Sequence, residues 1–580
     1  MNRKYLLLIV GLLTLAFVLA ACGSGTEDAT EVPAEEAEAE QLPAPEPTAP
    51  AEEPAAPAEE EMAFEPAILA AENCDYGGRI LSVAAVDEFT VEITLCQVDP
   101  AFLSKLAFTP FAVQPAEWLE ETGGTGELLR HPIGTGPYKI EEWVQGSQVI
   151  YSRFDDYWGE PAPAATAVLR WSTEAAARLV ELQSGNVDYI TSVGTDDMDA
   201  VESDENLVLV VDPNPNTFYL GMTNTHPPFD DIRVRQAIAM SIDKQRIVDT
   251  FYPPGSTVAD YFTPCSIPNG CVGESWYEFD PEAGRALLAE AGFPDGFETG
   301  LYYRDVTRTY LPEVSSVAVD IQTQLKENLN IDAEVVAMES GEFIAESNAG
   351  NLAGLHMLGW GADYPHVSNF FDNHLHQNLT QFGEPYPEIY EAMAAASSIA
   401  TVEEAAPFYE AANNAVKEFV PLIPVANGTA ANAALATVDG AYVPPFGSFQ
   451  MYKMDPGKDT FVAMQNNEPI SLFCHDETDG ESLAGCQQVV EPLLEFADDS
   501  GDVVPELATS FEASEDGLVW TFHLREGVLF HDGSTLDAND VVKSWEVGLD
   551  AASPLHVGNT GTFNWYVGSW DQFINAPPSE

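Results

Sequence analysis

The chemistry of this chain starts from a carboxylate three residues after an indole. In LGWGADYPHVSNFF, residues 358–371, Asp363 follows Trp360 and precedes Tyr364. A carboxylate partly desolvated in a cleft makes charge-assisted hydrogen bonds to a cation, and a neighbouring indole adds a flat apolar wall with cation-π character. The alternative is a loop-capping aspartate beside a core tryptophan. His366, His374 and His376 lie in or just beyond the same stretch. With no carboxylate or thiol at ligand spacing they read as solvated loop histidines, and no metal or cofactor is expected. No Gly-x-Ser-x-Gly, His-Glu-x-x-His or Ser-His-Asp arrangement stands in the chain, so no catalytic residue is assigned and an enzyme is not expected.

Seven cysteines supply the other reactive groups. Cys22 closes a leader in which Arg3 and Lys4 precede an apolar run from Tyr5 to Ala20. That run is short for a membrane span and ends on small residues, as a secretory signal does. The remaining six, Cys74, Cys96, Cys265, Cys271, Cys474 and Cys486, are even in number, which outside the cytoplasm favours disulfides. CSIPNGC sets Cys265 and Cys271 across a Pro-Asn-Gly turn and favours that pair. Cys74 with Cys96 and Cys474 with Cys486 are the remaining candidate pairs.

At 580 residues and 45% hydrophobic content the chain has enough apolar material for two or three cores. Residues 23–62 are Ala, Glu and Pro-rich without Lys or Arg, and have no periodic apolar face to bury. They read as a tether, with a coil reach of roughly 35 Å. Acidic residues number 94 against 22 basic, and only 13 of the acids lie in the tether. An excess of that size excludes nucleic acid as a partner, because phosphate recognition needs clustered Lys and Arg. It fits either a solvated acidic surface or a cationic ligand.

The elements that must position these groups are mixed. TVEITL (90–95) and LVWTFHL (518–524) alternate apolar and polar residues as half-buried strands do. Thr173 is placed to cap a helix bearing Leu179, Val180 and Leu182 and ended by Gly185. Asp230 or Asp231 can cap a helix whose buried stripe is Val234, Ile238 and Ile242. Asp280-Pro281 opens a helix with Leu287 and Leu288 inward. Further helices are predicted at about 312–328, 387–398 and 402–419, with a strand at 333–337. In GTGPY, Gly134 and Gly136 permit tight backbone before a strand at 138–143.

Three blocks make a resemblance specific: GTGPYKIEEWVQGSQVIYSRFDDYWG at 134–159, FYLGMTNTHPPFDDIRVRQAIAMSIDKQRIVD at 218–249, and DPEAGRALLAEAGFPDGF at 280–297. In order, they resemble the family 5 peptide-type extracellular solute-binding proteins of ABC importers. The resemblance implies an α/β, two-lobed periplasmic-binding-protein-like clamp with an additional small domain, and no enzymatic activity. It implies a lipoprotein lipidated at Cys22 and anchored outside the cytoplasm, partnered by a membrane permease and by a small solute, in the first instance a peptide. The other readings are an oligosaccharide or nickel chelate on the same scaffold, a sensor, or a hydrolase. By the same resemblance Asp363 pairs with a peptide α-ammonium, with Trp360 and Tyr364 beside it. The chain departs from many relatives at His366-Val367, where they carry Asp-Pro.

Block order is the remaining oddity. A region like 459–545 opens the usual family order, and a segment like VPLIPVANGT with VDGAYVPPFG closes it. Here the closing segment runs straight into the opening one through Asp455-Pro456-Gly457-Lys458, and each block occurs once. That is the pattern of a circular permutation, which surface termini permit. The expected plan is a signal at 1–22, the tether at 23–62, an outer domain from 63–124 and 492–580, one lobe from 125–215 and 433–491, and a second lobe at 216–432. Residues 518–545 should then pair with the region near 80–96.

Overall fold

Alternating apolar residues build the first sheet, because successive side chains of a strand point to opposite faces and one face is buried. Val91, Ile93 and Leu95 are buried on one side, as are Phe522 and Leu524. A computed structural model describes residues 64–557 and 574–575, except 213–214, 400, 478 and 499. The leader, Cys22 and the tether lie outside these residues. Residues from Ala63 onward form one compact unit. No helix among the described residues is long and apolar enough to cross a membrane.

The outer sheet runs in the order Ile68–Ala70, Ile80–Asp87, Thr90–Leu95, Val519–Leu524, Ala508–Ala513. Its strands from opposite ends of the chain are direct antiparallel neighbours, with Val91 opposite Phe522 and Ile93 opposite Trp520. The strand Val519–Leu524 therefore shares a sheet with residues 80–95, and residues 518–545 form no domain of their own. Its helix, Ala538–Leu549, starts on a capping box in which Asp537 and Asp540 satisfy each other's ends. It packs against Ile80–Asp87 and buries Trp545 almost completely.

Two further sheets define the lobes. The first-lobe sheet has the order Tyr138–Val144, Gln148–Arg153, Thr166–Trp171, Thr460–Gln465, Tyr189–Ile190, Ala430–Leu435, Leu207–Asp212. The second-lobe sheet has the order Thr257–Val258, Leu422–Asn427, Asn216–Met222, Gly354–Gly361, Glu298–Arg304, Asp332–Met338. The chain passes between these sheets twice, between the strands Leu207–Asp212 and Asn216–Met222 and at Gly428–Thr429. Ala430–Leu435 pairs with Leu207–Asp212 in the first lobe. Pairing in the first-lobe sheet resumes at Ala430, as soon as the turn is complete.

Three disulfides join Cys74 to Cys96, Cys265 to Cys271 and Cys474 to Cys486. Gly136 N donates to Val489 O at 2.9 Å, and a Cβ on Gly134 would meet that same carbonyl at 2.2 Å. The tight GTGPY backbone thus comes from close chain approach.

Some local expectations are corrected. The helix Ala175–Gln183 has Glu174 at its N-cap and no side-chain cap, because the Ser172 hydroxyl, not Thr173, accepts from Glu174 N. Val180 is 60% exposed, so the buried stripe is Leu179 and Leu182. Asp231 does cap its helix, but that helix ends at Ala239. Ile242 is buried in the turn before Lys244–Phe251, which Asp243 caps.

Candidate functional site

Parallel strands direct their carboxyl ends to one edge, and in open α/β sheets ligands bind in the crevice beyond that edge. Thr166–Trp171, Thr460–Gln465 and Tyr189–Ile190 are mutually parallel in the first lobe. Glu298–Arg304, Asp332–Met338 and Gly354–Gly361 are parallel in the second. A cavity of about 550 Å³ lies there, walled by both lobes: Thr173 to Arg178, Ser192 to Thr195, Ala430 to Asn432 and Asn466–Asn467 from the first, Asp305 to Thr309 and Glu313 from the second. That volume is within the usual range for small-molecule sites.

Two asparagine side chains tie the crossover. Asn216 Nδ2 donates to Gly428 O at 2.7 Å, and Asn216 Oδ1 accepts from Gly428 N at 2.8 Å. Asn427 Nδ2 returns to Asn216 O and to Thr217 Oγ1. A Cβ on Gly428 would meet Thr309 O at 2.0 Å, so glycine lets the cavity loop close over the hinge.

Arg178 and Arg308 bring positive charge to the wall. Arg178 is spent on shaping it: its guanidinium donates to the carbonyls of Ser172, Thr173, Thr191 and Ser192. Burial lowers it to about 10. Arg308 joins the lobes. From the loop after Glu298–Arg304 it reaches Glu481 Oε1 at 3.1 Å and Asp479 Oδ1 at 3.4 Å, both at the start of the first-lobe helix Gly480–Cys486. Burial and the neighbouring Glu481 push Asp479 up to about 7. Burial opposes ionisation of Glu481, but Arg308 and a hydrogen bond from Asp479 hold it below the usual range. Glu174, Asp305 and Glu313 line the same cavity. A wall with both signs of charge suits a solute that carries both.

Trp360, within Gly354–Gly361, pairs with Thr217 and Asp363 stands just beyond that strand, both at the same carboxyl edge but not in the lining of the cavity. Asn369 organises them. Its Nδ2 donates to Asp363 Oδ2 at 2.9 Å, and its Oδ1 accepts from Asp363 N at 3.0 Å and Trp360 Nε1 at 2.9 Å. Gly359 beneath them packs on the Tyr310 ring, one residue from the cavity-lining Thr309. Tyr364 is different. It is wholly buried, its hydroxyl shares a hydrogen bond with Ser368 and Lys105 lies over its ring, so it presents no surface to a solute.

Of the three histidines only His374 is a core residue, while His366 is part-buried and bonded on both nitrogens and His376 stays part-exposed. His366 bonds Ser368 and Tyr409 through its two nitrogens, and His374 bonds Phe370 O. Burial lowers both to about 4, so they are neutral at pH 7. Among the described residues no group of three or more potential ligands could hold a metal ion.

Comparison with known proteins places this architecture. A profile of the bacterial extracellular solute-binding proteins, family 5, matches residues 51–381 and 502–568. The chain belongs to that family. Among relatives of this family 5 protein, the dipeptide-binding protein of Pseudomonas aeruginosa is 29% identical over 393 residues, 64% of this chain and 71% of that one. Heme-binding protein A of Haemophilus influenzae is 28% identical over 381 residues, covering 64% and 70%. The same fold occurs in a dipeptide-binding protein of Pseudoalteromonas sp. SM9913 in complex with Met-Leu, with TM-score 0.61, 23% identity and 66% and 76% coverage. The role of the chain is therefore that of its family, binding a solute outside the cytoplasm.

Arg308, Arg178, Glu481 and the segment Thr429 to Asn432 escaped sequence reading. A signal for Arg308 existed, since it lies in the loop leaving a predictable parallel strand.

Proposed function

We propose that this family 5 protein is the substrate-binding component of an ABC importer, and that it captures a small peptide between its lobes and delivers it to a membrane permease. The observation that carries this reading is the cavity drawn from both lobes, with Arg308 and the carboxylates on its wall. A solute that touches both lobes favours their approach, because it makes its full set of contacts only there. The peptide-binding relatives and the adjacent Trp360–Asp363 segment favour a peptide. A thermal-shift screen of di- to pentapeptides, oligosaccharides and nickel-histidine chelates tests it, since a tight ligand raises the midpoint by mass action. A shift with sugars or chelates and none with peptides would reject the peptide.

In this reading Asp363, held by Asn369, accepts the peptide α-ammonium, with Trp360 beside it. Asp363→Asn keeps the shape and removes the charge. Peptide affinity is expected to fall at least about tenfold, as losing a charge-assisted bond implies. N-acetylated peptide should bind wild type and variant alike, and a full free-amine preference in the variant would refute the role. Lipidation at Cys22 would anchor the protein. Mass spectrometry of the membrane-extracted N-terminus, with Cys22→Ala as control, tests that.

The block order is read as a circular permutation. The two-part family match and the neighbouring strands Thr90–Leu95 and Val519–Leu524 support it. Glu65 O accepts from Asn539 at the start of helix Ala538–Leu549, and Ile574 N donates to Leu549 O at its end, a span of roughly 16 Å. A linker of about ten residues covers that. Joining 575 to 64 and opening the chain at Pro456-Gly457 should yield a cooperative melt within about 5 °C of the parent. An insoluble or non-cooperative product would count against the permutation.

A further inference from the structure

A second cavity of about 170 Å³ opens off the first, sharing Ser192, Thr309, Ala430, Asn432 and Asn466 with it. It has room for about five waters at ~30 Å³ each, or for one long side chain. Its chemistry is one-sided. Glu481 is the single charged residue among those lining it. Gln465 Nε2 is committed to the carbonyls of Asn467 and Glu481, which orients the amide and leaves Gln465 Oε1 without a partner. Glu481 Oε1 takes Arg308, Asp479 and Asn466 stand beside the same carboxyl, and Glu481 Oε2 makes no hydrogen bond of its own. Gln465 and Glu481 are only 2% and 7% exposed. Two buried acceptors without donors are a standing cost that a donor-bearing ligand removes.

Charge sharpens this from donor to cation. Arg308 serves both Asp479 and Glu481, so above about pH 7, where Asp479 ionises as well, the trio is one positive charge short. Val443, Pro444 and Phe449 line the same cavity and provide the apolar surface that a methylene stem requires. The net charge of −72 also raises the local concentration of cations.

We propose that the side cavity is a recognition subsite for a cationic side chain of the solute, an ammonium or guanidinium that bonds Glu481 Oε2 and Gln465 Oε1. The proposal rests on reading the main cleft as the solute site and adds that the protein prefers basic solutes. In the peptide reading, the preferred residue is lysine or arginine.

Calorimetric titration of the full chain with Ala-Lys-Ala, Ala-norleucine-Ala and Ala-Glu-Ala tests it, with agmatine as a peptide-free cation. The lysine peptide should bind at least tenfold tighter than the norleucine peptide, and the glutamate peptide weakest. Glu481→Gln should collapse the lysine-to-norleucine ratio to near one. Gln465→Met, which leaves the Arg308 bridge in place, should reduce that ratio about threefold. Equal or tighter norleucine binding would overturn the subsite and leave the peptide reading standing. If no peptide binds but agmatine raises the thermal midpoint and Glu481→Gln abolishes that rise, the peptide reading falls and the subsite stands. If agmatine is also inert, the subsite falls.

Discussion

Arg308→Ala should weaken solute binding, of a peptide in the reading proposed, by about 100-fold, the equivalent of about 2.8 kcal/mol at 1.4 kcal/mol per tenfold. Two losses combine. The variant removes a guanidinium from the wall of the main cavity, where a solute carboxylate would meet a forked, permanently charged donor. It also removes the link between lobes, leaving Asp479 and Glu481 without their cation. Glu481 would then take up a proton, since burial already opposes its charge. Arg308→Lys should fall between the two, because an ammonium keeps the charge but cannot bridge two carboxylates with a planar fork. Titration calorimetry of both variants checks this, and wild-type affinity in Arg308→Ala would remove Arg308 from the site.

Asp99→Asn should destabilise the fold by about 3–5 kcal/mol, the usual cost of breaking a buried ion pair. Asp99 and Lys105 are 6% and 5% exposed, and their charges meet at 2.6 Å. Arg79 reaches Asp99 at 3.6 Å and Asp372 at 3.7 Å, so the network ties the outer domain to the segment carrying Asp363. Burial alone would raise Asp99, but Lys105 and Arg79 pull it far below the usual carboxylate range. A depressed carboxylate contributes stability that is present above the unfolded value near 3.9 and lost as pH falls through the folded one. Asp99→Asn should therefore cost most above pH 4 and least in strong acid.

Other buried carboxyls act with the opposite sign. Burial raises Glu477 to about 8 and Asp540 to about 7, and burial with Glu481 raises Asp479 to about 7. Their stabilisation is complete below the unfolded values and is lost as pH rises through 7 to 8. The wild-type thermal midpoint should accordingly be higher at pH 5 than at pH 8. Relief of acidic self-repulsion adds to that trend. A calorimetric series in which the midpoint climbed from pH 5 to 8 would contradict these assignments.

Local rules made much of the fold readable. Alternation at 90–95 and 518–524 marked strands, and Asp231 and Asp280 marked helix starts, because both signals depend on near neighbours in the chain. They failed where tertiary contacts intervened. Ser172 rather than Thr173 meets the start of its helix, and Ile242 is buried from a turn. Periodicity reports which residues avoid water, and it is blind to how a buried turn achieves that.

The candidate site was half legible. Trp360 and Asp363 stand in a segment distinctive enough to single out, and Asn369, which holds both, is in the same segment. Arg308, Glu481 and Gln465 are far apart in sequence and ordinary in their local context. Their importance comes from two sheets meeting at their carboxyl edges, a relation no local pattern encodes.

The amino-acid order alone carried the family blocks, the strand and helix pattern near its end, and the large acid excess. Those are properties of composition and neighbouring residues. Only the folded chain decided that Tyr364 and His374 are core residues, that Arg308 bridges the lobes, and that Glu481 and Gln465 face one cavity with unmet acceptors. Burial and long-range pairing set these, because the charge state and partner of a side chain depend on what the rest of the fold packs around it.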